Sequence, residues 1–158
     1  MGRSIIVLIG VSGSGKSTWS TNYIRENPNT LRINRDSIRL GLVGSLDGYY
    51  QRKDLNEIEG CVSYIESKMF KTILDNHRNV IIDNTNLKKS YIQRWIDESL
   101  DYDYKIYFKL FDIISIAECK KRVNVRDNIQ NTMYIDKQFD QYQSIKKYIE
   151  KTYKEFII

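Results

Sequence analysis

Four short runs of apolar residues, separated by longer segments, are the first pattern in this chain. The runs occupy residues 5–9, 31–34, 80–83 and 104–111. Apolar runs of this length predict buried strands. Because strands of a parallel sheet with both faces covered read as continuous apolar runs, the pattern favours a sheet of this kind.

Helical spacing fills the segments between these runs. Apolar residues recur every three or four positions in one long segment, at Leu55, Ile58, Val62, Ile65, Met69 and Ile73. That period predicts a helix with one buried face. A similar pattern predicts a terminal helix from about residue 134 to residue 153. The alternation of strand and helix predicts an α/β fold, with a central, mostly parallel sheet of four or five strands and helices on both faces.

Length and composition favour one domain. The chain has 158 residues, a single proline and no low-complexity run, so we expect residues 1–158 to form one domain. Cys61 and Cys119 are too few for a metal pattern, and we expect both to be reduced and packed. The apolar run at residues 5–9 is much shorter than a membrane span. We therefore expect a soluble cytoplasmic protein that has no membrane partner.

A modest basic excess adds one hint about partners. Lys and Arg total 25 against 20 Asp and Glu, which gives a formal charge of +5. Such an excess favours a polyanionic partner, although many soluble domains carry it as a solvated surface.

The first apolar run leads into a phosphate-binding sequence, Gly10-x-x-x-x-Gly15-Lys16-Ser17. A strand before and a helix after this spacing are the context of a P-loop, whose backbone N–H groups and helix end surround phosphates. Lys16 is expected to reach the β- and γ-phosphates of ATP, and the Ser17 hydroxyl to hold Mg²⁺. The other predicted ATP-binding residues of the loop are Ser12, Gly13, Ser14 and Thr18. A simple glycine-rich turn is the alternative.

The second run is followed by Asp36 and Arg39, three residues apart. At the start of a helix these two side chains face the same side. A carboxylate there lies across the cleft from the P-loop, where it can accept the proton of an attacking hydroxyl. The alternative is that Asp36 only caps the helix.

The third run is followed by Asp83, Asn84, Thr85 and Asn86. Asp83 at the end of a strand predicts a carboxylate that steadies Mg²⁺, and Asn84 and Asn86 offer polar side chains for substrate. The same residues also make a good turn and helix cap, which is the competing interpretation.

Arg122 and Arg126 are four residues apart and predict two guanidinium groups on one side of a helix. A lid around residues 115–130 could bring them onto the donor nucleotide, where arginine suits developing negative charge. Surface ion pairs with Glu118 or Asp127 are the alternative.

In this order, the strings resemble the kinase domain of phage-type polynucleotide 5′-kinases, in the P-loop phosphotransferase group. The matching strings are GVSGSGKSTW, INRDSIR, VIIDNTNL, LFD after the fourth run, and KRVNVR, within about residues 5–126. The resemblance implies a P-loop kinase fold with Asp36 as general base and Arg39 on the first internal phosphate of the acceptor strand. It also implies that Lys16 and Ser17 bind ATP and Mg²⁺, and that Arg122 and Arg126 hold the donor.

One string departs from the best-known phage members, which read Ser-Asp-Thr-Asn where this chain has Asp83-Asn84-Thr85-Asn86. Relatives with the sequence found here also exist. The role of Asp83 is therefore less firmly implied than that of Asp36.

The function implied by the resemblance is transfer of the γ-phosphate of ATP to 5′-hydroxyl ends of DNA or RNA. A small-molecule kinase acting on a nucleoside, sugar or antibiotic would share the same motifs, and a non-catalytic ATP-dependent binding module would share the P-loop. We find no ligase motif, and the Asp-x-Asp at residues 101–103 leaves no room for a phosphatase fold, so such activities are expected on separate chains. Tyr49 and Tyr50 could stack on bases, but their helix-like context favours packing. The sequence leaves the oligomeric state open.

Overall fold

Four parallel strands form the centre of the computed structural model, which describes residues 2–113, 115–127 and 132–158. In that part of the chain the strands are β1 (Ser4–Ile9), β2 (Thr30–Ile33), β3 (Asn79–Ile82) and β4 (Lys105–Leu110). Their order across the sheet is β2-β3-β1-β4, and every neighbouring pair is parallel. Each strand begins and ends within one residue of its apolar run, and the predicted α/β fold is confirmed.

Six α-helices connect and cover these strands in the described residues. They are α1 (Lys16–Glu26), α2 (Arg35–Val43), α3 (Leu55–Asp75), α4 (Lys89–Asp97), α5 (Ile116–Asp127) and α6 (Tyr134–Thr152). Short 3-10 turns lie at Tyr49–Gln51 and Lys154–Phe156. The described part of the chain contains no helix with the length and apolar character needed to cross a membrane.

The two faces of the sheet carry different cores, because side chains alternate along each strand. The larger core joins β1 to α3, α4 and α6, through residues such as Ile5, Val7, Phe70, Trp95 and Ile149. On the other face Ile6 and Leu8 pack with the partly buried Trp19 and Tyr23 of α1. Helices therefore cover both faces, as expected.

The buried face of α3 differs from the predicted one. Val62 and Ile73 are buried as expected, but Met69 is 36 % exposed while Glu66 and Phe70 are each 1 % exposed. The spacing of apolar residues therefore predicts the buried face only in part. It includes the exposed Met69 and leaves out the buried Glu66, because Glu66 is charged.

The two cysteines have different surroundings. Cys119 on α5 is buried, which fits the expectation of packing. Cys61 is exposed, so the expectation was wrong for this residue. It lies on α3 and lines an open groove together with Leu42 and Ile58, which explains its exposure.

Candidate active site

Four of the five matching strings lie at the carboxyl ends of parallel strands, and the fifth, KRVNVR, lies on α5. Gly10 follows β1, Asn34 follows β2, Asp83 follows β3 and Phe111 follows β4. Strand ends of a parallel sheet lie along one edge, where ligands of open α/β sheets bind. The fold thus brings the predicted residues to one side of the molecule.

The P-loop owes its shape to two glycines with left-handed backbone angles. Gly13 has φ 80° and Gly15, which precedes α1, has φ 97°. A side chain at Gly13 would also place its Cβ 2.6 Å from the carbonyl oxygen of Cys119 on α5. Gly13 is therefore required both by conformation and by the close approach of α5. Ser17 is partly buried in the first turn of α1, and Thr18 is exposed.

Lys16 is buried inside this loop. Its Nζ donates hydrogen bonds to the carbonyl oxygens of Gly10 at 2.9 Å and Val11 at 2.7 Å. Burial lowers the pKa of Lys16 to about 8; the Asp83 carboxylate opposes this shift and Arg126 adds to it. The carbonyl oxygens thus hold the ammonium group inside the loop, while burial disfavours its charged form.

This lowered pKa predicts pH-dependent nucleotide binding. Above about pH 8 Lys16 loses its proton and its attraction to phosphate, so ATP affinity should fall by up to about tenfold per pH unit. Calorimetric titration with ATP on both sides of that pH measures the fall. Lys16→Met should bind ATP weakly and lack this decrease, and an equal decrease in that variant would assign the titration to another group.

Asp83 follows β3 and is 1 % exposed. Its Oδ2 accepts hydrogen bonds from Ser20 Oγ at 2.9 Å and from Arg32 Nε at 2.7 Å. Its Oδ1 is buried and has no hydrogen-bond partner among the described residues. A buried carboxylate oxygen without a partner is an acceptor suited to a cation or to its water ligand.

The described residues contain no cluster of three or more His, Cys, Asp or Glu side chains that could hold a metal ion. A magnesium ion at this edge would therefore take its other ligands from phosphate and water, as it usually does beside a P-loop. Asp83 fits such a supporting position, although Arg32 occupies its other oxygen.

Asp36 lies in the first turn of α2, but it does not cap that helix. The cap is Asn34, whose Oδ1 accepts a hydrogen bond from Ser37 N at 2.9 Å. The Asp36 side chain is 58 % exposed, and its Oδ1 accepts a hydrogen bond from Arg39 Nη1 at 2.7 Å. The capping alternative is thus wrong, and Asp36 keeps an exposed carboxylate that is close enough to Lys16 to oppose the lowering of the pKa of that lysine by burial.

Arg39 is fixed by a residue that the sequence analysis missed, Glu59 of α3. The side chain of Arg39 is 13 % exposed, and its Nε and Nη2 donate to the two Glu59 oxygens at 2.7 and 3.0 Å. Tyr49 Oη donates to Glu59 as well, at 2.6 Å. The hydrogen bonds from Arg39 lower the pKa of Glu59 to about 2. Glu59 thus stays ionised and holds Arg39 beside Asp36.

The predicted substrate contacts of Asn84 and Asn86 are not supported by their positions. Asn84 Oδ1 accepts from Arg35 N at 3.0 Å, and its Nδ2 donates to Glu66 at 2.8 Å. Asn86 is 2 % exposed; its Nδ2 donates to Leu8 O at 2.7 Å, and its Oδ1 accepts from the Trp95 indole at 3.1 Å. Both amides anchor the loop after β3, and the substrate contact of the partly exposed Asn84 stays a prediction.

The two arginines of α5 make the ion pairs that the sequence left open as an alternative. Arg122 Nε donates to Glu118 at 2.9 Å, and Arg126 Nε donates to Asp127 at 2.6 Å. Arg122 also reaches the P-loop, where its Nη1 lies 3.3 Å from Gly13 O. The structure thus places α5 against the P-loop with both guanidinium groups about half exposed. Residues 128–130 of the predicted lid lie outside the described residues.

The chain is similar to one protein family and to several known proteins. The family model described as the AAA domain matches residues 5–151. The chain belongs to the AAA domain family. Its P-loop and this match together make it a nucleotide-binding domain.

Relatives of this AAA domain include a protein named as a polynucleotide kinase and a chain of an RNA repair complex. It is 25 % identical over 156 residues to a putative bifunctional polynucleotide kinase/RNA ligase of Autographa californica nuclear polyhedrosis virus, covering 92 % of this chain and 22 % of that protein. It is also 29 % identical to a chain of the Pnkp1/Rnl/Hen1 RNA repair complex, with a TM-score of 0.78 over 92 % of this chain and 46 % of that chain. The AAA domain thus spans less than half the length of either relative, and the predicted resemblance to polynucleotide kinases is confirmed.

A more distant neighbour supports the fold alone. Deoxyadenosine kinase from M. mycoides is 16 % identical, with a TM-score of 0.63 over 98 % of this chain and 88 % of that chain. The predicted P-loop kinase fold of the AAA domain is therefore confirmed.

Several residues that shape the site of this AAA domain escaped the sequence analysis. Besides Glu59 they include Glu66, Arg35 and Gln138, whose Oε1 accepts a hydrogen bond from Ser12 N in the P-loop at 2.8 Å. Arg35 stands directly before Asp36, and Glu59 and Glu66 lie seven residues apart on one helix. That spacing of two carboxylates on one face was a usable signal, whereas nothing in the sequence links Gln138 to Ser12.

Proposed function

We propose that this chain transfers the γ-phosphate of ATP to the 5′-hydroxyl end of a DNA or RNA strand. The observation that carries the proposal is the exposed Asp36 carboxylate. Asn34 caps α2 in its place, and Arg39 Nη1 donates a hydrogen bond to Asp36 at 2.7 Å. The relatives named for RNA ligation and RNA repair favour RNA ends.

In the proposed reaction Asp36 accepts the proton of the 5′-hydroxyl while that oxygen attacks the γ-phosphate. Because phosphoryl transfer has a loose transition state, Asp36 contributes by orienting the hydroxyl as well as by accepting its proton. Arg39 fixes the carboxylate and faces the first internal phosphate of the strand. Lys16, with Arg126 and Arg122 from α5, stabilises the negative charge of the transferring group.

Bound Mg²⁺ would neutralise charge on the β- and γ-phosphates. Ser17 and the buried Oδ1 of Asp83 are the protein groups that would hold it, directly or through water. We further propose that residues 1–158 act as one kinase unit in the cytoplasm.

The test is transfer of labelled γ-phosphate from ATP to a panel of acceptors. The panel contains 5′-hydroxyl RNA and DNA oligonucleotides, their 5′-phosphorylated forms, nucleosides and simple sugars. We expect label only on the 5′-hydroxyl oligonucleotides. Label on a nucleoside or sugar alone would support the small-molecule alternative, and ATP binding without transfer to any acceptor would support a non-catalytic module.

Salt provides a second criterion in the same assay. A strand whose phosphates contact Arg39 and surface lysines releases counterions on binding, so its KM should rise steeply with salt concentration. A neutral small acceptor should show little change.

A further inference from the structure

The neighbouring residues Tyr49 and Tyr50 have opposite surroundings. Tyr49 is 2 % exposed and donates its hydroxyl proton to Glu59, whereas Tyr50 is 65 % exposed. Their ring centroids are 5.2 Å apart and the rings are perpendicular, so the buried ring supports the exposed one. The expectation that both tyrosines pack is therefore right for Tyr49 and wrong for Tyr50.

Tyr50 borders the acceptor side of the candidate site. The Arg39 guanidinium carbon is 6.0 Å from the Tyr50 ring centroid, and the same guanidinium holds Asp36. The phenol is thus within electrostatic range of both residues that the proposed reaction places around the 5′-hydroxyl.

The chemistry of a nucleic-acid end determines what must lie beside Asp36. The base of a 5′-terminal nucleotide is separated from its own 5′-oxygen only by the sugar. When the 5′-hydroxyl of a strand reaches Asp36 and its first phosphate reaches Arg39, its first base must lie close to the side chains that border these two residues. Among these, Tyr50 presents an exposed aromatic ring on a rigid support.

We propose that Tyr50 is a stacking platform for the 5′-terminal nucleobase of the acceptor strand. This inference rests on the proposed function and names a subsite of it. Every base has an aromatic face, so stacking on Tyr50 accepts all four bases and selects for the presence of a base rather than for its identity. It also makes a polynucleotide end a better acceptor than a sugar or a free hydroxyl compound.

The experiment compares two acceptors in two proteins. The acceptors are a 5′-hydroxyl oligonucleotide and the same strand with an abasic 5′-terminal sugar, and the proteins are the unmodified chain and Tyr50→Ala. Loss of a stacked base should raise the acceptor KM roughly tenfold, as should Tyr50→Ala, with kcat and ATP affinity little changed. In Tyr50→Ala the abasic strand should show no further loss, because the stacking partner is already absent.

Two further variants separate stacking from structure. Tyr64→Ala removes an equally exposed tyrosine, 65 % exposed on α3, and should leave the KM unchanged. Tyr50→Trp should restore the low KM because it supplies another aromatic face. A purely structural role for Tyr50 would leave the abasic penalty in Tyr50→Ala the same as in the unmodified chain.

The outcomes distinguish this inference from the proposed function. An unchanged KM in Tyr50→Ala, or an abasic penalty of equal size in both proteins, would overturn the stacking platform and leave the kinase reaction intact. Failure of the unmodified chain to phosphorylate any 5′-hydroxyl strand would overturn both.

Discussion

Asp36→Asn should lower kcat for phosphate transfer to a 5′-hydroxyl strand by at least about a hundredfold. Asparagine keeps the size of the side chain and an oxygen that can accept the hydrogen bond from Arg39, but it cannot take the proton of the attacking hydroxyl. Because Asp36 is 58 % exposed and does not cap α2, the melting temperature should change little. ATP affinity should also be nearly unchanged, since the P-loop is intact. Single-turnover transfer of labelled phosphate measures the effect.

Asp54→Asn is the matched control for this variant. Asp54 is 47 % exposed and accepts a hydrogen bond from Arg52 at 2.9 Å, so it too is an exposed carboxylate paired with an arginine. Its replacement should leave kcat unchanged. Full turnover by Asp36→Asn, or equal losses in the two variants, would contradict the assignment of Asp36 as the base.

The fold could be predicted from the sequence because its signals are local. An apolar run such as residues 5–9, followed directly by glycines and a helical pattern, fixes a strand, a loop and a helix without reference to the rest of the chain. The order of strands in the sheet was not predicted, because it depends on which strands pair through hydrogen bonds rather than on any one segment. The P-loop was predictable for a similar local reason: its backbone geometry requires glycine at Gly13 and Gly15.

The supporting residues of the site could not be predicted in the same way. The sequence identified Asp36 and Arg39, but only the fold shows that Asn34 takes the capping role and that Glu59 holds Arg39. Likewise Asn84 and Asn86 have the right residue type and position for substrate contacts, yet the packing of α3 and α4 uses their amides internally. Whether a polar side chain faces the cleft or the interior depends on partners that are distant in the sequence.

Glu66 is another supporting residue that the sequence did not identify. Glu66→Gln should lower the free energy of unfolding by about 3 kcal/mol. Glu66 is 1 % exposed, and its Oε2 accepts hydrogen bonds from Arg35 at 2.9 Å and Arg94 at 2.7 Å. Glutamine keeps the volume but removes the charge, so each guanidinium group loses its most buried carboxylate partner. Arg35 keeps the half-buried Glu59, and Arg94 keeps the half-buried Glu98. Because Arg35 and Arg94 are 21 % and 28 % exposed, water compensates in part, and the loss stays at the low end for a broken buried pair. The melting temperature should fall by about 6–12 °C in thermal unfolding.

Glu57→Gln, an exposed position on the same helix, should change the melting temperature little. The double variant Glu66→Gln with Arg94→Gln supplies the decisive comparison, because it removes one of the two guanidinium groups that lose their Glu66 partner in the single variant. If Glu66 stabilises the fold as their counter-ion, the double variant should be less destabilised than the sum of the two single variants. Strict additivity would mean that Glu66 and Arg94 do not stabilise each other, and that the loss arises from the other partners of Glu66, Arg35 and Asn84. Since Glu66 also anchors Asn84 and Arg35, and Arg35 directly precedes Asp36, loss of the counter-ion should lower transfer activity even below the melting transition. A destabilised Glu66→Gln with full activity would show instead that Asp36 is positioned independently of this buried network.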